Sequence, residues 1–204
     1  MGLGLGLGLG LGGGGLPRPQ FDAARWRQVL DRLAAALPAP TQRHITVIGG
    51  VAMALGYGAQ RTTLDADVVM APEVALEVLP IAALIAPEFG LAPDWLNQKA
   101  MAAGLIVRPE DAGEGHGRIV FSKPTLTLEV PSTERMLGMK LAAFSRGDKD
   151  IGDAKLLLDR LLKPGAYTEV EQVWDLVGGL IPVAKRDKSL EALHTLWEDL
   201  HEPA

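Results

Sequence analysis

The stretch 44–70 constrains the fold of this chain more than any other. Its first residues, His44–Ile48 (HITVI), are short and β-branched, which is typical of a buried strand. Gly49-Gly50 ends that strand, and the apolar segment Val51–Leu55 predicts a helix directly after it. Thr63–Met70 (TLDADVVM) then predicts a second strand. A strand, a glycine turn, a helix and another strand in such a short stretch indicate a domain that mixes helices with a sheet.

Apolar periodicity and capping residues extend this pattern along the chain. Helices are predicted at 21–37, 73–85, 92–103, 132–144, 148–162, 170–180 and 188–200, with Ser132 as the N-cap of the fourth. Further strands are predicted at 104–107, 118–122 and 126–130. The order predicts an α+β fold with a mixed sheet and a helical C-terminal part. We expect a disordered low-complexity tail at 1–16 (MGLGLGLGLGLGGGGL), a main domain at 17–160, and a helical part at 161–204 packed on it.

Composition excludes several classes of site. The absence of cysteine rules out disulfides, thiolate zinc sites and cysteine nucleophiles, and it fits the cytoplasm, where we expect the protein to lie. The formal net charge of −5 disfavours broad, charge-driven binding to nucleic acid. No apolar run approaches the roughly 20 residues needed to cross a bilayer, so no membrane partner is expected.

Asp65 and Asp67 are the strongest candidates for chemistry. They lie two residues apart on a predicted strand, so both carboxylates point to the same face. Adjacent carboxylates repel each other unless a cation lies between them, and hard oxygen ligands suit Mg²⁺ or Mn²⁺. Gly49 and Gly50 leave room for a ligand, and the helix after them offers free N–H groups to a phosphate. The alternative is a pair of solvated carboxylates next to an ordinary glycine turn.

The order strand, Gly-Gly, helix and D-x-D on the next strand resembles the signature of the nucleotidyltransferase superfamily. Arg61-Thr62 ahead of Asp65, and the later KLAAFSRGDKDIGD, resemble the AbiEii-like, toxin-type branch, over roughly residues 44–160. The resemblance implies the nucleotidyltransferase fold, a Mg²⁺ (or Mn²⁺) cofactor, an NTP substrate, and an RNA such as tRNA or a protein side chain as acceptor. It also implies a toxin of a toxin–antitoxin or abortive-infection system, with a cognate antitoxin as partner.

The resemblance also assigns residues to the nucleotide. The nucleotide-binding set is Gly49, Gly50, Arg61, Thr62 and Lys140. Lys140 lies in the apolar segment MLGMKLAAF, at the place of the family's helix lysine, which implies a contact with the triphosphate. The alternative is a lysine that extends its amine to the surface.

Four further residues fall in segments that resemble family motifs. They are Asn97 in PDWLN and Lys149, Asp150 and Asp153 in RGDKDIGD. Asp150 and Asp153 are three residues apart, so they share one face of the predicted helix. The alternative for these two is a local role, in which they stabilise the helix start and pair with Arg146 or Lys149.

Glu129 is the candidate third carboxylate, which the superfamily usually has on a neighbouring strand. Alternation along TLTLEV places it on one face with Thr125 and Thr127. There it would bind metal with Asp65 and Asp67, or act as a general base. The alternative is a polar residue on the solvent side of an amphipathic strand. With Lys140, these three carboxylates form the predicted catalytic set.

Position 50 departs from the resemblance. It is Gly where many members of the superfamily have a phosphate-contacting Ser. This departure and the acidic net charge favour an alternative function, a catalytically weak protein of the nucleotidyltransferase fold used for binding or regulation.

Overall fold

A computed structural model describes residues 21–60, 62–102, 117–144, 148–163 and 165–201, with the backbone alone at 101–102 and 148–149. The predicted tail at 1–16, the predicted strand at 104–107 and Arg61 lie outside the described residues. The helices are α1 (Ala23–Ala36), α2 (Gly49–Tyr57), α3 (Pro72–Phe89), α4 (Lys99–Ala102), α5 (Thr133–Ala142), α6 (Asp148–Leu162), α7 (Val170–Val177) and α8 (Arg186–His201). The strands are β1 (Arg43–Ile48), β2 (Ala66–Val69), β3 (Leu96–Asn97), β4 (Gly117–Lys123) and β5 (Leu126–Pro131).

The strands form one mixed sheet in the order β3-β2-β1-β5-β4. The central strand β1 pairs antiparallel with β2 and parallel with β5. With helices α5 to α8 following the last strand, the chain has the predicted α+β fold with a helical C-terminal part.

The two faces of the sheet differ in character. One face carries apolar side chains such as Ile45 and Leu128, which are paired in register and belong to the core. On the other face, Thr46 is paired with Glu129, and Ile48 with Asp67. Residues paired across strands lie on the same side of a sheet, and side chains alternate along each strand. Asp67 and Glu129 therefore lie on one polar face, with β1 between their strands.

The C-terminal helices share the core of the sheet domain. Val173 of α7 and Leu193 and Leu196 of α8 belong to the same buried cluster as Leu128 of β5. Within the described ranges, no helix has the length and apolar character needed to cross a membrane.

Helix caps follow the local sequence. Asp22 accepts a hydrogen bond from the backbone N–H of Arg25 (2.8 Å) at the start of α1. Ser132, the predicted cap of α5, accepts one from the N–H of Arg135 (3.3 Å), which confirms that prediction.

Three differences from the prediction affect the residues singled out for function. Strand β2 begins at Ala66, so Asp65 precedes the strand instead of lying on it. The Thr63 hydroxyl, which donates to Asp65 Oδ1 (2.9 Å), also lies 3.1 Å from the Asp65 backbone carbonyl oxygen, and such local contacts compete with strand pairing. Helix α2 begins at Gly49 itself, and 96–97 forms strand β3 where a helix was predicted. The local sequence around 96–97 could not predict β3, because its partner strand β2 lies about thirty residues earlier in the chain.

Candidate functional site

A cavity of about 210 Å³ opens where β1 ends and α2 begins. It collects residues from both sides of the glycine turn, from the start of β2 and from α4, α5 and α6. Its described lining residues are Ile48, Gly49, Gly50, Thr63, Asp65, Asp67, Ala100, Met136, Met139, Lys140, Ala143 and Asp150. The D-x-D pair, the glycine turn and Lys140, which the sequence singles out separately, therefore meet in one place.

Asp65 and Asp67 line this cavity from the start of β2. Asp65 is exposed, and its Oδ1 accepts a hydrogen bond from the Thr63 hydroxyl (2.9 Å). Burial raises the pKa of the Asp67 carboxyl, and the charge of Asp65 raises it further. Lys99, Lys140 and a hydrogen bond from the backbone of Ala100 oppose this rise without cancelling it. Burial and the neighbouring carboxylate thus disfavour the ionised form of Asp67, and a cation beside it would favour that form.

The first turn of α2 forms the second wall. Gly49 has φ +64°, which lets the chain turn from β1 directly into the helix. A Cβ at Gly49 would lie 3.2 Å from Asp67 Oδ2, so the glycine also makes room for that carboxylate. Ile48, the residue before α2, has an apolar side chain that cannot cap the helix. The first N–H groups of α2 therefore have no side-chain cap from that position, and an anion in the cavity could accept their hydrogen bonds.

Lys140 forms the third wall and is buried, with 6% of its surface exposed. The alternative that it extends to the surface is wrong. Its Nζ contacts Asp150 Oδ1 at 2.9 Å and Asp153 Oδ2 at 2.6 Å. These two ion pairs connect α5 to α6 and hold the ammonium group beside the cavity. Three-residue spacing predicts that Asp150 and Asp153 share one helical face, but no local pattern identifies Lys140 as their partner.

Glu129 is buried as well, with 5% of its surface exposed, so the alternative that it lies on a solvent face is wrong. It accepts a hydrogen bond from the Thr46 hydroxyl (3.1 Å), its neighbour across the strand pair. It is not among the described residues that line the cavity, whereas Asp150 is. Across the described ranges, no group of three or more Asp, Glu or His side chains is placed to hold a metal ion. The role of Glu129 as a third ligand or base stays a prediction.

Two of the other predicted residues, Thr62 and Asn97, are not among the described residues that line this cavity. Thr62 lines a neighbouring groove, and Thr63 lines the cavity in its place. Asn97 is paired in register with Asp67, and its Oδ1 accepts a hydrogen bond from the Lys99 backbone N–H (2.9 Å). Asn97 thereby fixes the start of α4. Arg61 and the side chain of Lys149 lie outside the described residues.

Sequence reasoning missed Thr63, Lys99 and Ala100. Thr63 lies two residues before Asp65, and its short polar side chain could have marked it as a candidate site residue. Lys99 and the backbone of Ala100 lower the pKa of Asp67 because the pairing of β3 with β2 brings them close to it. No local sequence pattern predicts that pairing. Trp95, which precedes β3, is buried, and its Nε1 donates to the Ala82 carbonyl (2.8 Å).

The chain matches no protein-family model, no curated protein and no solved structure. The chemistry of the cavity is therefore the basis for a function. Asp65 and Asp67 attract a cation and the free N–H groups at the start of α2 attract an anion, while Lys140 is held at the cavity by Asp150 and Asp153. A site that favours both charges at once suits a metal-bound phosphate.

Proposed function

We propose that this chain is a Mg²⁺-dependent nucleotidyltransferase, with Mn²⁺ as a possible substitute metal, related to the AbiEii-like branch. One observation carries the proposal: Asp65, Asp67, Lys140 and the start of α2 line a single cavity. The acceptor would be a hydroxyl of an RNA, such as tRNA, or of a protein side chain.

The described carboxylates fit a magnesium ion. Mg²⁺ is usually bound through one or two carboxylates plus waters and substrate phosphates, so two carboxylates suffice. Asp65 and Asp67 would provide them. Burial raises the pKa of Asp67, and the charges of Lys99 and Lys140 oppose that rise only in part.

The cavity also fits the triphosphate of an NTP. Its volume of about 210 Å³ is below the roughly 300–1,000 Å³ of pockets that enclose a whole small molecule. Phosphates and a metal would fill it, and the nucleoside would lie outside. Gly49 and Gly50 would offer backbone N–H groups to the phosphates, and Lys140 would offset the charge of the leaving pyrophosphate.

In the transfer, the acceptor oxygen would bond to the α-phosphorus as the bond to the bridging oxygen breaks. Pyrophosphate would leave with the electron pair, and the hydroxyl proton would pass to water. Bound Mg²⁺ would supply Lewis-acid polarisation of the phosphoryl oxygens. The chain's own residues would orient the triphosphate, because Asp150 and Asp153 fix Lys140 relative to the glycine turn.

Calorimetry with Mg²⁺ and each of the four NTPs tests this proposal. We expect the wild type to bind at least one NTP, and the D65N/D67N double variant to lose at least about tenfold in affinity, equivalent to about 1.4 kcal/mol. Asp175→Asn, which changes an exposed carboxylate on α7, is the matched control and should bind normally. Absence of binding to all four, or unchanged affinity in the double variant, contradicts the proposal.

A second candidate is a catalytically weak protein of the same fold, used for binding or regulation. The surroundings of Gly50 favour it, because a Cβ there would lie 3.0 Å from Thr63 Cβ, so the serine that many members of the nucleotidyltransferase superfamily have at this place would press on Thr63. Incubation of the protein with labelled NTPs, total RNA and a protein panel distinguishes the two. Label transfer that disappears in Asp65→Asn excludes the second candidate.

A toxin role with a cognate antitoxin is a further consequence of the family resemblance. It predicts that expression of the wild type stops growth while the D65N/D67N variant does not. Growth curves of cells with matched expression levels measure this difference, and equal growth contradicts a toxin role that depends on transfer.

A further inference from the structure

Thr63 holds one oxygen of the Asp65 carboxylate. Asp65 is exposed and precedes β2, so strand pairing does not fix its side chain. The Thr63 hydroxyl donates a hydrogen bond to Asp65 Oδ1 (2.9 Å) and also lies 3.1 Å from the Asp65 backbone carbonyl oxygen. These contacts restrain the rotation of the carboxylate, and Oδ2 is the oxygen that Thr63 does not engage.

The first turn of α2 holds Thr63 in turn. A Cβ built at Gly50 would lie 3.0 Å from Thr63 Cβ and 3.2 Å from its Oγ1. The Thr63 side chain therefore fills the space that a side chain at position 50 would occupy. Because a β-branched residue has few rotamers about its first side-chain bond, this packing also restrains the direction of the hydroxyl.

Asp67, the second carboxylate of the cavity, is restrained as well. A Cβ built at Gly49 would lie 3.2 Å from Asp67 Oδ2, so this oxygen lies against the first turn of α2. The Asp67 carboxylate also accepts a hydrogen bond from the backbone of Ala100. The chain therefore engages both carboxylates in part before any cation binds.

Carboxylates that are engaged in this way suit one class of divalent cation. Mg²⁺ requires a near-octahedral set of oxygens, binds through one or two carboxylates and keeps several waters. Ca²⁺ is larger, takes about six to eight oxygens and often binds both oxygens of one carboxylate. A carboxylate with one oxygen held by a hydroxyl is a poor two-oxygen ligand, so it disfavours Ca²⁺ more than Mg²⁺.

We infer that Thr63 is a positioning residue that makes Asp65 a one-oxygen ligand, and that it thereby selects Mg²⁺ or Mn²⁺ over Ca²⁺ in this cavity. This inference rests on the proposed nucleotidyltransferase function and names the residue that sets its metal specificity. Loss of the hydroxyl would release Oδ1 and let Asp65 offer both oxygens to a larger cation.

Thr63→Val tests the inference because it removes the hydroxyl and keeps the size and branching of the side chain. Thr63→Ala removes the hydroxyl in a smaller side chain, and Thr63→Ser keeps it. Thr62→Val is the matched control, since Thr62 is exposed and is not among the described residues that line the cavity. Chemical denaturation establishes that each variant is folded.

Electron paramagnetic resonance of Mn²⁺ measures the binding of that ion alone, and its displacement by Mg²⁺ or Ca²⁺ gives the affinities of those ions. We expect the wild type, Thr63→Ser and Thr62→Val to prefer Mg²⁺ to Ca²⁺. Thr63→Val and Thr63→Ala should lose about tenfold in Mg²⁺ and Mn²⁺ affinity, as is usual for outer-shell partners of a metal site, and should retain their affinity for Ca²⁺. A role in folding alone would lower the affinities for all three ions together.

Equal losses for Mg²⁺ and Ca²⁺, or no loss for Mg²⁺, in the variants without the hydroxyl overturn the inference. A wild type that prefers Ca²⁺, or Mn²⁺ binding that the D65N/D67N variant retains, also overturns it. The proposed function still stands after these results if the wild type binds Mg²⁺–NTP and the double variant does not. Absence of Mg²⁺–NTP binding in the wild type is a different result, because it overturns the proposed function itself.

Discussion

Lys140 is a buried cation whose charge is balanced by two carboxylates of the next helix. Its replacement by Met would remove the cation that pairs with Asp150 and Asp153, and loss of one member of a buried ion pair costs about 3–5 kcal/mol. We expect chemical denaturation to show a loss of this size for Lys140→Met.

Lys155 provides the matched control for this prediction. It lies on α6, its side chain is 42% exposed, and its Nζ lies 3.6 Å from Asp199 Oδ2. An exposed pair of this kind contributes less than about 1 kcal/mol. Similar losses for Lys155→Met and Lys140→Met would show that the burial of Lys140 has no energetic consequence.

Asp67 predicts a pH dependence of stability. Burial raises its pKa in the folded protein, so between its ordinary value of 3.8 and the raised value the folded state binds more protons than the unfolded state. The free energy of unfolding therefore falls as the pH rises through this window. Above the window, the whole loss of stability caused by ionising Asp67 is present. Asp67→Asn removes the titration, so its free energy of unfolding should fall less than that of the wild type.

Denaturation of both proteins from about pH 4 to neutral pH measures this difference. Asp175→Asn should follow the wild type, and parallel curves for Asp67→Asn and the wild type would contradict the prediction. If Mg²⁺ binds beside Asp67, its addition should lower the pKa of that carboxyl and weaken the pH dependence of the wild type.

At the scale of an element, the first turn of α2 depends on Gly49. Its φ of +64° costs a residue with a Cβ about 1–2 kcal/mol, and the added carbon would also press on Asp67 Oδ2 at 3.2 Å. We expect Gly49→Ala to lower the free energy of unfolding by at least this amount and to weaken Mg²⁺–NTP binding.

Gly58, which ends the same helix, separates these two effects. Its φ is +69°, but the nearest atom to a Cβ built there is 3.8 Å away. Gly58→Ala should therefore lose stability without losing affinity for NTP. If both variants bind NTP as the wild type does, the first turn of α2 has no part in the site.

At the scale of the whole molecule, the helical C-terminal part is buried against the sheet domain. Leu193 of α8 is fully buried in the core cluster that also contains Leu128 of β5. Its replacement by Ala should cost about 2–5 kcal/mol through lost burial and the cavity left behind. Because one cluster joins both parts, we expect a single unfolding transition at a lower denaturant concentration.

Val183 is the control, since 77% of its surface is exposed, and Val183→Ala should change stability by less than about 0.5 kcal/mol. Circular dichroism and tryptophan fluorescence should report the same midpoint for each protein. Two separate transitions would show that the C-terminal helices unfold independently of the sheet.

Sequence by itself determined the features that depend on neighbouring residues. Alternation along β5 predicts that Thr127 and Glu129 share a face, and three-residue spacing predicts the same for Asp150 and Asp153 on α6. Ser132 as the cap of α5 and the α+β order of elements follow from equally local signals. Backbone geometry fixes these periods and caps within a few residues, so they can be predicted without knowledge of the fold.

Only the tertiary structure decided which of these groups meet. It paired Lys140 with Asp150 and Asp153, placed Thr63 rather than Thr62 in the cavity, and buried Glu129 beside Thr46. Each of these contacts depends on the packing of elements that are distant in the sequence, or on the residue at which a strand begins. The energy of such contacts comes from burial and charge balance across the whole core, and a local pattern does not encode it.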